Sequence, residues 1–213
     1  MLLIKPSTEL LTPLNRQAIL EHLELCGRVC YKSEDKITED SASRFCTKIQ
    51  TNQHHSVIEH HSVSVRFIID RGVSHELVRH RLASYSQEST RYCNYSKKGI
   101  TFIIPPWLEW ITPRECNPEE VIAIGQPHPW LAIMALAELG YDELIKQGWT
   151  PQQARRVLPN SLKTEVIMTA NLREWQHVFR LRCAASAHPQ MREVMIPLRD
   201  SFIKELPELF NVR

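Results

Sequence analysis

Ser62-Val63-Ser64-Val65-Arg66-Phe67-Ile68-Ile69-Asp70 is the cleanest strand signal in the chain. Val63, Val65, Phe67 and Ile69 alternate with Ser62, Ser64, Arg66 and Asp70, so one face is buried and the other is partly polar. Downstream, Arg71-Gly72 turns the chain, and Ser74 is the candidate N-cap of a short helix running through Leu77, Val78 and Leu82. That helix carries Arg79 and Arg81. Two residues apart is about 200° on an ideal helix, so both cannot face one ligand from it. Either the helix ends near His80, or the two arginines serve different ligands.

The stretch that follows, residues 79–92, holds three arginines, a histidine, three serines, a threonine and two tyrosines. Three guanidinium groups are almost never fully buried without partners, so this is no core element. Guanidinium forks with hydroxyls and an amide between them suit a ligand carrying phosphate and a polar planar ring.

Upstream of the strand lies Asn52-Gln53-His54-His55-Ser56-Val57-Ile58-Glu59-His60-His61. Four histidines and a glutamate invite a metal reading, but the H-E-x-x-H spacing is absent and adjacent histidines diverge on any regular backbone. A polar loop feeding a ligand site is the better expectation. Residues 13–30 read as a helix with Leu14, Ala18, Leu25 and Val29 near helical spacing, 31–40 as a charged loop, and 41–50 as a helix with Phe45 and Ile49 on one face.

Beyond the arginine-rich stretch, residues 99–106 form a strand stopped by Pro105-Pro106, and 107–127 are loop-rich. Residues 130–147 form an amphipathic helix built on Leu131, Met134, Ala135, Leu139 and Leu144. Thr150-Pro151-Gln152-Gln153 is a capping box opening a helix that carries Arg155 and Arg156. Residues 162–170 suggest a further strand. Asn171 caps a helix with an apolar stripe of Leu172, Trp175, Val178, Phe179 and the nearby Leu181, and there Arg173 and His177 share a face. Residues 189–206 are a final helix, interrupted or kinked at Pro197. No internal repeat, low-complexity tract or interdomain linker stands out.

A chain of 213 residues with 43% apolar and 23% charged residues is one ordinary globular domain, or one with a small appendage. No apolar run is long enough to cross a bilayer and no signal-peptide pattern is present, which predicts a cytoplasmic protein. A net charge of +2 is too small to imply nucleic-acid binding by itself. The six cysteines contain no C-x-x-C and read as free thiols, mostly core. The six glycines are scattered, so neither G-x-G-x-x-G nor a P-loop occurs. Bound phosphate must then be held by arginines and helix N-termini.

Arg79-His80-Arg81, seven residues, then Ser89 and Arg91-Tyr92 resembles the signature of the flavin-dependent thymidylate synthases. Supporting blocks follow the same order: His55-Ser56-Val57-Ile58-Glu59-His60, Ala154-Arg155-Arg156-Val157-Leu158-Pro159, and Asn171-Leu172-Arg173 leading to Leu181-Arg182. The resemblance implies an α+β fold with a small antiparallel sheet wrapped by helices, residues 1–213 forming a single catalytic domain. It implies a homotetramer with active sites shared between subunits, and neither nucleic acid nor membrane as partner.

The reaction implied is reductive methylation of dUMP to dTMP, with methylenetetrahydrofolate as one-carbon donor, FAD as cofactor and NADPH as reductant. Carried over by position, Ser56, Arg79, His80, Arg81, Gln87, Asn171, Leu172, Arg173 and His177 would contact FAD. Glu76, Leu77, Val78, Arg79, Gln87, Glu88, Ser89, Thr90, Arg91, Arg155 and Arg182 would surround dUMP. Arg182 matches the family's arginine that stabilises ionised N3 of the uracil ring, and is the implied catalytic residue. No metal is implied and no cysteine is nucleophilic, so Cys93 is structural and Ser89 a dUMP ligand. Glu76 stands where a glutamine is often found, and His177 replaces an asparagine of some members.

Two other expectations stand beside this one. A non-catalytic nucleotide- or RNA-binding module would use Arg79, Arg81, Arg91 and Arg182 on phosphates, with strongly salt-dependent binding and no flavin. A histidine-rich metalloenzyme would hold stoichiometric metal removable by chelator.

Overall fold

The computed structural model describes residues 1–97, 99–125 and 127–211. In chain order these form β1 (Leu2–Ile4), β2 (Ser7–Leu10), α1 (Arg16–Val29), α2 (Ser41–Thr51), β3 (Ser62–Asp70), α3 (Arg71–Leu77) and β4 (Ala83–Gln87). There follow β5 (Thr101–Ile103), β6 (Arg114–Glu115), α4 (Pro118–Ala123), α5 (Pro129–Lys146), α6 (Pro151–Ala154), β7 (Lys163–Asn171), α7 (Leu172–Arg182), α8 (Pro189–Glu205) and α9 (Pro207–Phe210). Short 3-10 turns lie at Glu34–Lys36, Val57–His60 and Arg155–Val157. This is the expected α+β composition, with a four-stranded sheet in the order β2-β3-β7-β4 and a three-stranded sheet in the order β5-β1-β6.

The chain gathers into two compact units, each assembled from separate segments. The first comprises Met1–Ser7, Phe67–Arg79 and Ser86–Val166; the second comprises Thr8–Arg66, His80–Tyr85 and the residues from Ile167 onward.

In the first unit the small sheet is mixed. Leu2, Leu3 and Ile4 pair in parallel with Thr101, Phe102 and Ile103, while Leu2 and Leu3 pair antiparallel with Glu115 and Arg114. A parallel pair needs a long crossover rather than a hairpin, and the chain between β1 and β5 supplies it. The sheet packs into one core with Leu131, Met134, Ala135 and Tyr141 of α5. The buried face of α5 therefore runs through Ala137, Glu138 and Tyr141, and the expected Leu139 and Leu144 lie only half-buried. Glu138 is tolerated there because it meets the N-terminal ammonium at 3.0 Å and accepts from Ile100 N at 3.1 Å.

The helix after β3 begins earlier than Ser74. Asp70 is its cap: the buried carboxylate accepts from Val73 N at 2.7 Å, and α3 ends at Leu77. A carboxylate at an N-terminus satisfies an orphan N–H and favours the helix dipole. Gly72 leaves room for it, since a Cβ at that position would lie 3.2 Å from the Asp70 oxygen. Replacing Asp70 with alanine is expected to cost about 1–2 kcal/mol, read as a lower denaturant midpoint. A midpoint unchanged from wild type would show that the cap contributes nothing.

The second unit holds α1, α2, α7, α8 and α9. In α1 the buried residues are Ile19, Leu20, Leu23, Glu24 and Gly27, while the expected Leu25 and Val29 are half-exposed. The helix carries apolar residues on two faces, so spacing alone selected the wrong one. Gly27 marks the true face, because a Cβ there would meet the Phe45 ring of α2 at 2.6 Å. Trp175 of α7, fully buried, donates from Nε1 to Val63 O at 3.1 Å and packs with Phe179 and Phe202 at ring distances of 5.6 and 5.5 Å. Leu181, expected on that stripe, is half-exposed. The last long helix, α8, runs through Pro197 without interruption.

Of the six cysteines, all free, only Cys46 is buried, which corrects the expectation of a mostly core set. Burial, then the neighbouring Glu24 and Glu208, push the Cys46 thiol up to about 12, so it is inert at neutral pH.

Candidate active site

The second unit contains a cavity of about 1050 Å³. It is lined by His55, Glu59, Asn171, Arg173, His177 and Arg180, together with Arg199 and Phe210. Helix α7 organises it. Asn171 caps the helix, its Oδ1 accepting from Glu174 N at 2.9 Å. Arg173 and His177 then project one turn apart, as their spacing predicted, and both reach the cavity wall. The exposed Arg173 guanidinium pairs with the Glu59 carboxylate, and His177 Nδ1 lies 3.0 Å from Arg180 Nη2. Ser56 is exposed and opens the turn Val57–His60. That turn, with Val57 and Ile58 buried, stands where a polar loop was expected.

His80 is the most constrained residue of the arginine-rich stretch. It is 4% exposed, its carbonyl accepts from the Tyr85 hydroxyl at 2.9 Å, and its Nε2 lies 2.9 Å from Arg182 Nε. Its Nδ1 is 3.5 Å from Glu174 Oε1. Burial, then the charge of Arg182, then His177, hold the imidazole down to about 4. The Glu174 carboxylate favours the charged ring but does not outweigh those three, so His80 is neutral at neutral pH. Nearby, burial and then Glu174 push the Tyr85 phenol up to about 12.

His80, Glu174 and His177 present ligand-type atoms within 4.8 Å of one another. The histidine-rich segment 52–61 gives no such group among the described residues. Arg182 and Arg180 occupy one ring nitrogen of each histidine, and two guanidinium groups oppose a divalent cation at this place.

In the first unit, Gln87 Nε2 donates to Ser74 Oγ at 2.9 Å and to Thr164 Oγ1 at 3.3 Å. Glu88 accepts from Lys163 Nζ at 3.0 Å and from the Tyr95 hydroxyl at 2.9 Å, so its charge is compensated. Ser89 Oγ accepts from Arg91 N at 3.3 Å, and buried Thr90 accepts from Arg155 Nη1 at 3.0 Å. Arg155 is thus brought to the 87–91 segment across a long sequence separation. Arg79 and Arg91 present exposed guanidinium groups, as does Arg81 in the second unit. Because α3 stops at Leu77, Arg79 and Arg81 lie on non-helical backbone, and the restriction that a helix would impose does not apply. Glu76 is half-buried and Val78 exposed. The side chains of Leu77 and Leu172 are fully buried, which restricts both to main-chain contacts with any ligand.

Glu174, Arg180 and Arg199 were not singled out as site residues in the sequence, and Glu59 only as the glutamate of the metal reading. Glu174 carried a readable signal, a carboxylate beside Trp175 on an apolar helix face. Arg199 carried none, because only the packing of α8 brings it to the cavity.

These features define an α+β protein with an arginine-lined cavity of the size of a nucleotide ligand and no glycine-rich loop. The family model described as thymidylate synthase complementing protein matches residues 16–208. The flavin-dependent thymidylate synthase of Geobacter sulfurreducens is 33% identical over 195 residues, 85% of this chain and 79% of the relative. That of Pyrococcus furiosus is 33% identical over 183 residues, 84% of this chain and 69% of the relative.

Among solved structures, thymidylate synthase X of Helicobacter pylori, with FAD and dUMP, superposes with a TM-score of 0.71 at 22% identity, over 96% of this chain and 97% of that one. The UMP/dUMP methylase PolB of Streptomyces cacaoi, bound with 5-Br dUMP, gives 0.74 at 22% identity, over 99% and 96%. The chain belongs to the flavin-dependent thymidylate synthase family.

Proposed function

We propose that this chain is an FAD-dependent thymidylate synthase that methylates dUMP to dTMP, with methylenetetrahydrofolate as carbon donor and NADPH as reductant. Family membership over most of the chain carries this reading. The alternative of a non-catalytic nucleotide- or RNA-binding module is not favoured, since the relatives are named as enzymes over the same span.

The residues fit a flavin dinucleotide. The cavity lies at the upper end of the roughly 300–1,000 Å³ usual for small-molecule sites. Arg173, Arg180 and Arg199 offer donors to a pyrophosphate there, while Glu59, the carboxylate beside them, is already paired with Arg173. In this reading Ser56, Arg79, His80, Arg81, Gln87, Asn171, Leu172, Arg173 and His177 hold FAD. The bound flavin supplies the hydride that reduces the transferred carbon.

The chain's own residues bind and polarise. Arg79, Arg91 and Arg155 take the dUMP phosphate, the main chain of 76–79 and 87–91 surrounds the nucleotide, and Ser89 is a ligand to it. Arg182 stabilises the charge that develops on the uracil ring. No thiol takes part. Residues 1–213 act as one catalytic domain, and a homotetramer completes each site with a neighbouring subunit. No nucleic acid or membrane is required. Among the described residues no helix is long and apolar enough to cross a membrane, and the cytoplasm is the proposed location.

An absorption spectrum of the purified protein, before and after dUMP, tests the reading. A flavin spectrum that shifts on adding dUMP is expected. A colourless protein that also fails to take up added FAD would overturn the assignment.

A further inference from the structure

We propose that Glu174 is a positioning residue for this reaction: it selects the Nδ1–H tautomer of His80, whose Nε2 then accepts the Arg182 Nε–H and fixes the direction of the guanidinium plane. The inference rests on the assignment of Arg182 to the uracil ring. Glu174 lies on the buried face of α7 at 6% exposure, next to fully buried Trp175 and Leu172. A carboxylate there costs several kcal/mol unless it is compensated. Its backbone N–H is taken by the Asn171 cap, and its Oε1 faces His80 Nδ1 at 3.5 Å.

The donor inventory then decides the tautomer. Arg182 Nε carries one hydrogen and can only donate, so His80 Nε2, 2.9 Å away, must be bare. A neutral imidazole places its single proton on the other nitrogen, which points at Glu174. Carboxylate, neutral ring and guanidinium thus form a line of alternating acceptor and donor. Two nearby groups are engaged elsewhere. Tyr85 binds the His80 carbonyl, and His177 stands edge-on at 5.8 Å between ring centres with its Nδ1 against Arg180. At 3.5 Å the Glu174 contact is longer than a normal hydrogen bond, so its present effect is electrostatic. Such contacts commonly tighten when a site fills.

The test uses FAD-loaded protein labelled with ¹⁵N-histidine. His80, assigned by loss of its signal in His80→Gln, is expected to show a protonated Nδ1 and a bare Nε2 at neutral pH. Glu174→Gln keeps an acceptor oxygen and should keep that tautomer and most of kcat. Glu174→Leu should give a tautomer mixture and lower kcat about tenfold, the loss of one orienting hydrogen bond, with flavin content unchanged. A wild-type His80 protonated at Nε2 overturns the proposal, as does Glu174→Leu with unchanged tautomer and kcat. Should Glu174→Leu fail to fold, the wild-type spectrum and Glu174→Gln still decide. Full activity of Arg182→Ala would instead defeat the assignment of Arg182, and the ring tautomer would still report on Glu174.

Discussion

Arg182→Ala is expected to nearly abolish dTMP formation while the protein still holds FAD. A fixed guanidinium beside a nascent anion in a site that excludes water stabilises charge far more than it would in solution, and removing one such donor typically costs on the order of 3 kcal/mol of barrier, about a hundredfold or more in rate. The flavin is expected to stay because the cavity residues Asn171, Arg173 and His177 are untouched. A second signature accompanies the loss. The Arg182 charge is one of the causes holding the His80 imidazole down to about 4, so in the variant His80 should titrate closer to its ordinary value. Arg182→Lys keeps the charge but lacks the planar fork that binds His80 through Nε and leaves the other nitrogens for a ligand, so it should recover little activity. Steady-state dTMP formation, flavin content and histidine titration by NMR check these outcomes together. Retention of most activity by Arg182→Ala would sink the assignment.

The largest effect on stability is expected at Trp175. The side chain is fully buried, packs against Phe179 and Phe202, and donates to the Val63 carbonyl of β3. Truncation to alanine removes the transfer energy of the indole, opens a cavity and removes its hydrogen bond to that carbonyl, a loss of about 3–5 kcal/mol. Native proteins keep only about 5–15 kcal/mol in all, so Trp175→Ala should lose much of its cooperative unfolding transition. Trp175→Phe keeps most of the volume without the N–H and should lie between the two. Chemical denaturation followed by intrinsic fluorescence and circular dichroism gives the ranking. Equal midpoints for Trp175→Ala and wild type would show that this cluster does not anchor the second unit.

Much of the fold was legible locally. Strand β3 announced itself by alternation from Ser62 to Phe67, the cap at Asn171 by its side-chain oxygen before an apolar stripe, and the Thr150 box by its spacing. Each signal depends on neighbours within a few residues, where backbone geometry fixes which side chains share a face. Local reading failed where two answers were locally equal. Helix α1 has apolar residues on two faces, and only Phe45 packing against Gly27 selects one. The start of α3 reads locally at Ser74, whereas Asp70, by alternation a polar residue of the strand, is the cap. The main chain of Arg71, held by Asn160 and Leu162, accompanies the earlier start.

The site divides along the same line. Residue chemistry by itself led to the expectation of an anionic, ring-bearing ligand met by arginines rather than a glycine-rich loop, and the spacing of Arg79, His80, Arg81 and Ser89 pointed to the family. Only the tertiary structure decided what those residues do to one another. His80 is neutral because folding buries it beside Arg182, 102 positions away in sequence. Glu88 is compensated because β7 brings Lys163 to it, and Arg155 meets Thr90 for a comparable reason. Charge state and hydrogen-bond direction depend on distance and burial, and neither is a property of residues adjacent in sequence.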